Sequence, residues 1–230
     1  MNITLVIPTY NEAENIPILI ERVFRIFDEA ELPGSVIVVD DNSPDETWKI
    51  CQELKERYPR LDVIRRIKER GLSSAVLEGF RSSGSEILGV MDADLSHPAE
   101  KLPELLRPLI NGTADFVIGS RYILDGEIEE WSISRKLSSK LATLAAYGLT
   151  SVKDPMSGFF FLKREVIDGI KLNPKGFKIC LEILVRGKYE NVIEIPILFR
   201  DRIHGETKLN SRVIIDYLLQ VSRLYLNKIF

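Results

Sequence analysis

Ile87-Leu88-Gly89-Val90-Met91-Asp92-Ala93-Asp94 is an apolar run that ends directly in two carboxylates flanking one alanine. An apolar run of this length is typical of a buried strand, so both carboxylates are expected at that strand's carboxyl end. Residues two apart in an extended chain point to the same side. Two neighbouring anions repel each other unless a cation lies between them. The stretch therefore predicts a divalent metal, Mg²⁺ or Mn²⁺, held against a diphosphate.

Short apolar runs alternate with segments of helical periodicity around this stretch, which predicts parallel strands joined by crossover helices. The predicted strands of the first half are Ile3–Pro8, Ser35–Asp40, Leu61–Arg65, Glu86–Met91 and Asp115–Gly119. The predicted helices are Asn15–Ala30, a second one ending near Tyr58, Leu72–Ser83 and Pro98–Asn111. The second helix is expected to start at Ser43-Pro44-Asp45-Glu46, which has the form of a capping box with proline at the first helical position.

Beyond Gly119 the regular alternation of predicted strands and helices changes. A loop is predicted over Ser120–Glu130 and a helix over Arg135–Tyr147. Two more strands are predicted, with a helix around Phe177–Gly187 between them; they are Gly158–Lys163 and Val192–Phe199. A last helix runs from Ser211 towards the end of the sequence.

Composition limits the classes of function. The 230 residues are 45% hydrophobic and 28% charged, which is ordinary for a soluble globular protein. The net charge of −3 does not fit a nucleic-acid-binding protein. Cys51 and Cys180 match no zinc, redox or disulfide pattern. The first residues lack the basic flank of a secretory signal, and no run reaches the roughly eighteen apolar residues of a membrane-spanning helix. We therefore expect a cytoplasmic protein.

Polar clusters follow three of the predicted strands, at the point where each strand ends. They are Pro8-Thr9-Tyr10-Asn11-Glu12, Asp40-Asp41-Asn42 and Asp92-Ala93-Asp94. Ligands of open parallel sheets bind in the crevice outside these carboxyl ends. A single cluster could merely cap the next helix, whereas three clusters converging on one edge predict a binding site.

Motifs of several other enzyme classes are absent. The sequence has no Gly-x-Gly-x-x-Gly turn of a dinucleotide oxidoreductase, no Walker loop and no His-Glu-x-x-His zinc motif. His97 and His204 are the only histidines. His97 precedes Pro98 and fits a turn that starts a helix, so it is a poor candidate for a general base.

Longer motifs around these clusters resemble the family-two glycosyltransferases. Those typical of the broad superfamily are Pro8–Glu12, Val39–Asp45, Gly71–Ala75 and Met91–Pro98. Within it, three more resemble the dolichol-phosphate mannose synthases, namely Gly119–Tyr122, Asp154–Phe159 and Arg202–Leu209. The resemblance implies an α/β GT-A fold, a Rossmann-like, mostly parallel sheet flanked by helices. It implies one domain over residues 1–230, with a nucleotide-binding half (1–119), an acceptor and sugar half (120–210) and a C-terminal amphipathic helix (211–230).

The resemblance also implies the reaction, an inverting, metal-dependent transfer of mannose from GDP-mannose to dolichyl (polyprenyl) phosphate. The metal would be Mg²⁺ or Mn²⁺, bound by Asp92 and Asp94 with Ser96 near it. The donor nucleotide would contact Pro8, Tyr10, Glu12, Val39, Asp41, Asp92, Ala93 and Asp94. Arg202 and Lys208, on a loop after the last strand, would close over the diphosphate as cationic donors. Together with Asp94, these two cations are the expected catalytic residues.

The phosphate of the lipid acceptor is assigned by the same resemblance to Arg121, Arg135 and Ser139. Arg135 and Ser139 are four apart in a predicted helix, so both can face one point. The alternative is a solvated helix face that also carries Lys136 and Lys140. A phosphate monoester has its second pKa at about 6, so it is ionised near neutral pH and can attack without a catalytic base.

The last predicted helix carries a narrow polar stripe on an otherwise apolar cylinder. The stripe consists of Arg212, Asp216, Gln220, Arg223 and Asn227. Two interpretations stay open, namely packing in the core or a dimer seam, and an amphipathic helix on a membrane surface. A polyprenyl acceptor favours the second, which predicts a peripheral protein on the cytoplasmic face of a membrane. The sequence identifies no protein partner.

Three alternatives to mannose transfer remain at this stage. The same fold and chemistry could move glucose from UDP-glucose, or another sugar, onto polyprenyl phosphate. A sugar-nucleotide nucleotidyltransferase could also use paired aspartates in an α/β sheet, but it would carry a glycine-rich basic loop where this chain has residues 8–12. A non-catalytic nucleotide-binding subunit would seldom need both the carboxylate pair and the phosphate-side cations.

Overall fold

The strands follow the order predicted along the chain. In the computed structural model, which describes residues 1–128, 144–173, 178–200 and 211–229, they are β1 (Ile3–Thr9), β2 (Gly34–Asp40), β3 (Leu61–Arg65), β4 (Ile87–Val90), β5 (Phe116–Ser120), β6 (Glu127–Ile128), β7 (Phe160–Lys163), β8 (Val192–Pro196) and β9 (Leu198–Phe199). The helices are α1 (Ile16–Glu29), α2 (Thr47–Arg57), α3 (Leu72–Ser82), α4 (Leu102–Ile110), α5 (Ile179–Arg186) and α6 (Ser211–Ile229). The side chains of α6 are described from Tyr217 to Leu226.

Seven strands form one sheet in the order β3-β2-β1-β4-β7-β5-β8. β1 pairs in parallel with β2 and β4, β2 pairs in parallel with β3, and β5 pairs in parallel with β8. The mostly parallel sheet flanked by helices is therefore confirmed. β7 departs from this pattern because it runs antiparallel between β4 and β5.

Gly89, in the middle of β4, makes room for this antiparallel neighbour. It is paired with Phe161 of β7, and a Cβ at Gly89 would come within 2.1 Å of the Phe161 ring. The position of β7 depends on this fit between distant residues, which the local alternation of strands and helices does not encode.

Helices cover both faces of the sheet. α1, α2 and α4 pack on one face, against buried side chains that include Leu5 and Phe161. α3 and α5 pack on the other face, against Val6 and Phe160. Neighbouring residues of one strand therefore place their side chains in opposite layers of the core, as expected for a pleated strand.

The last helix, α6, packs on a smaller apolar cluster beside the main core. Val221 and Leu224 are buried there against Ala146, Leu149 and Leu181. Among the residues that the structure describes, no helix has both the length and the apolar composition needed to span a membrane.

The polar stripe predicted on α6 faces the protein where its side chains are described. Gln220 is 2% exposed and its amide donates to Lys178 O at 3.1 Å. Arg223 lies 3.5 Å from the carboxylate of Glu182, which is fully buried on α5. Three leucines, Leu218, Leu219 and Leu226, are exposed on the outward side, together with Ser222.

The capping box predicted at Ser43 is wrong. α2 begins at Thr47, and Glu46 before it has a left-handed backbone with a φ of 61°. The Ser43 hydroxyl instead donates to Asp40 at 2.5 Å and accepts the N–H of Asn11 at 3.0 Å. Because Ser43 joins two loops at the ends of neighbouring strands, it does not cap a helix.

One strand prediction and one loop prediction in the second half also need correction. The predicted strand Val192–Phe199 is divided into β8 and β9, because Ile197 turns to donate its N–H to Ser120 O at 3.0 Å. The predicted loop Ser120–Glu130 contains β6, which pairs with β9. Most of the predicted helix Arg135–Tyr147 lies outside the described residues, and the division of the domain at residues 119 and 210 stays a prediction.

Candidate active site

The three polar clusters lie at one edge of the sheet. β1, β2 and β4 are neighbours and run in parallel, so their carboxyl ends meet there. Thr9 and Asp40, the last residues of β1 and β2, are paired, and the N–H of Asp41 donates to Thr9 O at 3.1 Å. Asp92 and Asp94 follow β4 at the same edge. The convergence expected from the sequence is present.

Asp40 is a structural carboxylate. It is fully buried and accepts hydrogen bonds from the Thr9 hydroxyl at 2.9 Å and from the N–H of Ser43 at 2.8 Å, in addition to the Ser43 hydroxyl. These bonds use both carboxylate oxygens, as expected for a buried polar group. Asp40 therefore holds the loops after β1 and β2 together and leaves ligand binding to its neighbours.

Asp41, assigned to the donor nucleotide by resemblance, is bound to a residue that the sequence analysis missed. Arg66 Nε donates to Asp41 Oδ1 at 2.7 Å, and the N–H of Gly71 donates to Oδ2 at 2.7 Å. Arg66 also donates to the Ser74 hydroxyl at 2.8 Å. Since Arg66 directly follows β3, the rule that functional residues follow strand ends could have found it. The arginine fixes the position of Asp41 at the sheet edge.

The other residues expected around the nucleotide lie at this edge too. Pro8 and Val39 are cross-strand partners in β1 and β2. Tyr10 is in the loop after β1, and the guanidinium of Arg70 lies 5.2 Å from its ring centroid. Glu12 follows in the same loop and is partly buried. Their contacts with a nucleotide stay a prediction.

Asp94 is the more buried of the paired carboxylates. It is 4% exposed, and its Oδ1 accepts the Ser96 hydroxyl at 2.5 Å and the Ser96 N–H at 3.2 Å. Leu95, between them, has a φ of 61°, a left-handed conformation that is strained for a bulky side chain. The tight turn lets Ser96 orient the carboxylate of Asp94, and the place of Ser96 near a metal stays a prediction.

Asp92 is more accessible, with 31% of its side chain exposed, and it faces His97. His97 Nε2 lies 3.4 Å from Asp92 Oδ2. The imidazole is enclosed by Phe159 and Phe199, at centroid distances of 5.3 and 5.1 Å. His97 thus contacts a carboxylate that the sequence assigns to the metal, a contact that the motif alone does not reveal. Its enclosed ring is poorly placed for a general base.

Gly158 allows the chain before β7 to approach Asp92. A Cβ at Gly158 would come within 2.4 Å of Asp92 Oδ2. The preceding Ser157 donates its hydroxyl hydrogen to Gly119 O at 2.7 Å and accepts the N–H of Phe159 at 3.1 Å. The Ser157-Gly158-Phe159 motif therefore fixes this segment to the end of β5 and lets its backbone approach the carboxylate closely.

Arg121, assigned to the acceptor phosphate, is bound to a buried carboxylate. Its Nε and Nη2 each donate to one oxygen of Asp154 at 2.7 Å, and its backbone N–H donates at 3.0 Å. Asp154 is fully buried. The Arg121 guanidinium also lies 5.2 Å from the ring centroid of Phe199. Its role towards an acceptor stays a prediction, and an acceptor phosphate would share this guanidinium with Asp154.

Four predicted site residues lie outside the residues that the structure describes, namely Arg135, Ser139, Arg202 and Lys208. The chain that leads to the last two is described up to Arg200, whose N–H donates to Ser96 O at 3.1 Å. Arg200 therefore lies beside the loop that holds Asp94, two residues before Arg202 in the sequence.

Lys178 is a second cation that the sequence analysis missed. It directly precedes α5 and lines a cavity of about 50 Å³ together with Asp92 and Gly158. Burial, and then the charge of Arg121, lowers the pKa of Lys178; the opposing effects of Asp92 and Asp154 are smaller. No sequence motif marks it, because its neighbours in the cavity come from distant strands.

The paired carboxylates fit a hard divalent cation. Mg²⁺ is usually bound by one or two carboxylates together with phosphate oxygens of a substrate, and Asp92 and Asp94 offer such oxygen donors at the ligand-binding edge. Within the described part of the chain, no group of three or more His, Cys, Asp or Glu side chains could hold a metal ion. Two carboxylates suit a metal whose other ligands are phosphate oxygens and water.

Comparison with known proteins agrees with this geometry. The profile of glycosyl transferase family 2 matches residues 4–170. A dolichol-phosphate mannosyltransferase of Pyrococcus furiosus is 47% identical over 97% of the chain, which spans 64% of that protein's length. The enzyme of the same name from Saccharomyces cerevisiae is 37% identical, covering 98% of this chain and 87% of the yeast protein.

Solved structures share the fold at low sequence identity. Mannosyl-3-phosphoglycerate synthase from Rubrobacter xylanophilus superimposes with a TM-score of 0.71 at 18% identity, covering 99% of this chain and 74% of that one. A mannosyltransferase from Pyrobaculum calidifontis in complex with GDP-Man and Mn²⁺ has a TM-score of 0.66 at 19% identity, covering 96% and 64%. The fold is thus that of GT-A glycosyltransferases. With the profile match and these relatives, the chain belongs to glycosyl transferase family 2.

Proposed function

We propose that this chain transfers mannose from GDP-mannose to the phosphate of a dolichyl or related polyprenyl lipid, with inversion at the sugar carbon. The observation that carries the proposal is the 47% identity, over 97% of the chain, to a dolichol-phosphate mannosyltransferase. The placement of Asp41, Asp92 and Asp94 at one sheet edge supports it, because that edge is where α/β proteins bind nucleotides.

In this proposal Asp92 and Asp94 hold Mg²⁺ or Mn²⁺ on the donor diphosphate. The metal, when bound, supplies charge stabilisation for the departing diphosphate. The protein itself positions the two carboxylates. The Ser96 hydroxyl donates to Asp94 at 2.5 Å, and His97 contacts Asp92 from a buried site. The structural neighbour that binds GDP-Man together with Mn²⁺ is consistent with this combination of donor and metal.

The transfer itself needs no proton acceptor from the protein. An oxygen of the acceptor phosphate forms a bond to the anomeric carbon while the bond from that carbon to the diphosphate oxygen breaks, and GDP leaves with the electron pair. The acceptor oxygen carries its negative charge beforehand, since a phosphate monoester has its second pKa at about 6. The account needs no general base, which is consistent with the position of His97, whose Nε2 lies 3.4 Å from Asp92 Oδ2.

Arg202 and Lys208 are proposed to neutralise the diphosphate, and Pro8, Tyr10, Glu12, Val39 and Asp41 to bind the nucleoside. The first assignment is supported by the hydrogen bond from the N–H of Arg200 to Ser96 O. It places Arg200, two residues before Arg202 in the sequence, beside the loop of Asp94. Support for the second group is the edge formed by β1 and β2, with Arg66 fixing the carboxylate of Asp41.

Transfer to a lipid acceptor also requires that the protein reach a membrane surface. The apolar outward side of α6 supports such a place, with Leu218 53%, Leu219 64% and Leu226 58% exposed. Apolar side chains on one side of a surface helix can enter the boundary between lipid headgroups and acyl chains. We therefore include peripheral attachment at the cytoplasmic face of a membrane in the proposal.

A panel of donors and acceptors tests the proposal. Purified protein with Mn²⁺ is given GDP-mannose, UDP-glucose or GDP-glucose, each with dolichyl phosphate or with 3-phosphoglycerate. We expect rapid transfer only from GDP-mannose to dolichyl phosphate, with NMR showing a β-linked product from the α-linked donor. Transfer from UDP-glucose alone, transfer to 3-phosphoglycerate alone, or an α-linked product would contradict the proposal.

A further inference from the structure

Lys178 occupies a position next to the carboxylate edge that no assigned role explains. It precedes α5 and lines a cavity of about 50 Å³, whose wall also contains Asp92, Ser157 and Gly158. A cavity needs only about 10–15 Å³ of such volume to hold one water molecule, so this one has room for a larger group. Gly158 and Asp92 approach each other closely in this wall, since a Cβ at Gly158 would come within 2.4 Å of Asp92 Oδ2.

Among the residues that the structure describes, the ammonium of Lys178 has no hydrogen-bond or ion-pair partner. The charged and titratable groups that act on it at longer range are Arg121, Asp92, Asp154 and Cys180. Asp154 is already engaged by Arg121 through two side-chain bonds of 2.7 Å, and it acts on Lys178 only at longer range.

Such an arrangement suits an anionic ligand. Lys178 is partly buried; a cation that is partly desolvated without a direct partner is destabilised, and an anion that enters the cavity offsets that cost. Burial lowers the pKa of Lys178 and Arg121 adds to the effect, which is the direction expected of a cation that lacks a direct counter-charge. Lys178 thus has the properties of a binding residue in the ligand-free protein.

The reaction brings two anionic groups to this edge, the donor diphosphate and the acceptor phosphate. The diphosphate is assigned to the metal on Asp92 and Asp94, with Arg202 and Lys208. The acceptor phosphate has less provision within the described residues, because Arg121 is shared with Asp154. We propose that Lys178 binds a non-bridging oxygen of the acceptor phosphate in the cavity beside Asp92; this inference rests on the proposed function.

The C-terminal helix helps to hold Lys178 in place. Gln220 of α6 donates its amide to Lys178 O at 3.1 Å, and the N–H of Glu182 donates to the same oxygen at 3.2 Å. The backbone from which the lysine side chain extends is therefore fixed by two helices. A fixed backbone lowers the entropy that a binding side chain loses when its ligand arrives.

The test compares Lys178→Met with the wild-type protein in titration calorimetry. Farnesyl phosphate is titrated into protein saturated with GDP and Mn²⁺, and farnesol serves as the uncharged form of the same lipid. We expect Lys178→Met to weaken farnesyl phosphate binding on the order of 10- to 100-fold, the range of a hydrogen bond to a charged group. Binding of farnesol and of GDP-mannose should change by less than about twofold, well below one decade.

Lys188→Met is the matched control, because it removes the same charge from the exposed far end of α5, and it should bind farnesyl phosphate as the wild type does. Thermal unfolding separates a structural role: removing a cation that lacks a direct partner should leave the melting temperature of Lys178→Met unchanged or raised. If that variant does not fold, Lys178→Gln is held to the same criteria.

Three results would overturn the inference. They are wild-type affinity of Lys178→Met for farnesyl phosphate, a loss confined to GDP-mannose binding, and a lowered melting temperature with intact phosphate binding. A wild-type protein that binds farnesyl phosphate but transfers no mannose would instead refute the proposed function. The two failures are therefore distinguishable.

Discussion

At the scale of single residues, the site is built from carboxylates whose positions are set by the protein itself. Asp41 is held by Arg66 and by the N–H of Gly71, both at 2.7 Å, while Asp94 is held by Ser96. Fixed carboxylates do not have to be ordered when a ligand binds, which lowers the cost of binding. The same rigidity makes the site sensitive to small changes around it.

Arg66 should be required for stability as well as for binding. Arg66→Met would leave Asp41 as a buried carboxylate without its cation, which costs about 3–5 kcal/mol of unfolding free energy. Urea denaturation measures the loss. Arg65→Met is the control, because Arg65 stacks on the Trp48 ring at 3.7 Å and supports no buried carboxylate. An Arg66→Met protein as stable as the control would contradict this role.

Gly158→Ala should damage the site more than the fold. Its new methyl group would meet Asp92 Oδ2 at 2.4 Å and displace that carboxylate, and a misplacement of about 1 Å can cost about 10²-fold in rate. Mannose transfer and Mn²⁺ affinity in the presence of GDP measure the effect. Gly84→Ala is the control, since a Cβ there meets nothing within 4 Å. Equal Mn²⁺ affinity in the two variants would contradict the crowding of Asp92.

At the scale of elements, strand ends and helix sides carry the function. The carboxyl ends of β1, β2 and β4 form the candidate binding edge. At the opposite end of the sheet, Asp115 connects three segments by accepting from Lys163 Nζ at 2.9 Å and from the N–H groups of Glu190 and Asn191 at 3.0 and 3.1 Å.

Asp115→Asn should therefore reduce stability in a pH-dependent way. The hydrogen bond from Lys163 is the main cause that lowers the pKa of Asp115. A carboxyl group whose pKa is lower in the folded state stabilises the protein above its unfolded pKa of about 4, and that stabilisation is lost as the pH falls through the folded value. Urea denaturation should show a deficit of about 1 kcal/mol at pH 7, which narrows from pH 5 towards pH 3. A deficit that stays constant with pH would contradict this assignment.

The outward side of α6 should attach the protein to lipid. Leu219→Glu places a charge on this exposed apolar side and should reduce flotation with liposomes of anionic lipid, because a carboxylate resists entry into the acyl region. Ile110→Glu, which changes an exposed apolar residue on α4, should float as the wild type does. Equal flotation of both variants would remove the membrane role from α6.

At the scale of the whole molecule, local patterns determine much of the fold and contact between distant segments determines the rest. The parallel strands and the edge that gathers Asp41, Asp92 and Asp94 follow from apolar runs and the residues after them. The antiparallel β7 depends on the fit between Gly89 and Phe161, which are far apart in sequence. The inward position of Gln220 likewise depends on its contacts with Glu182 and Lys178.

The missed side chains have the same physical cause. Arg66 and Lys178 acquire their roles from partners that are brought near by folding, Asp41 for the arginine and the cavity beside Asp92 for the lysine. The capping box predicted at Ser43 was wrong because the Ser43 hydroxyl bonds to the Asp40 carboxylate and not to the first turn of α2. Motifs therefore predict the candidate site, whereas its supporting contacts depend on residues that are distant in sequence.

The central claim is that the carboxylates after β4 drive mannose transfer through a bound metal. The direct measurement is the rate of transfer from radiolabelled GDP-mannose to dolichyl phosphate by Asp94→Ala at saturating Mn²⁺. Asp62→Ala serves as a control on the exposed part of β3. We predict a folded Asp94→Ala protein that is slower by about 10³-fold or more and a control at the wild-type rate. Near-wild-type turnover by correctly folded Asp94→Ala would contradict the account.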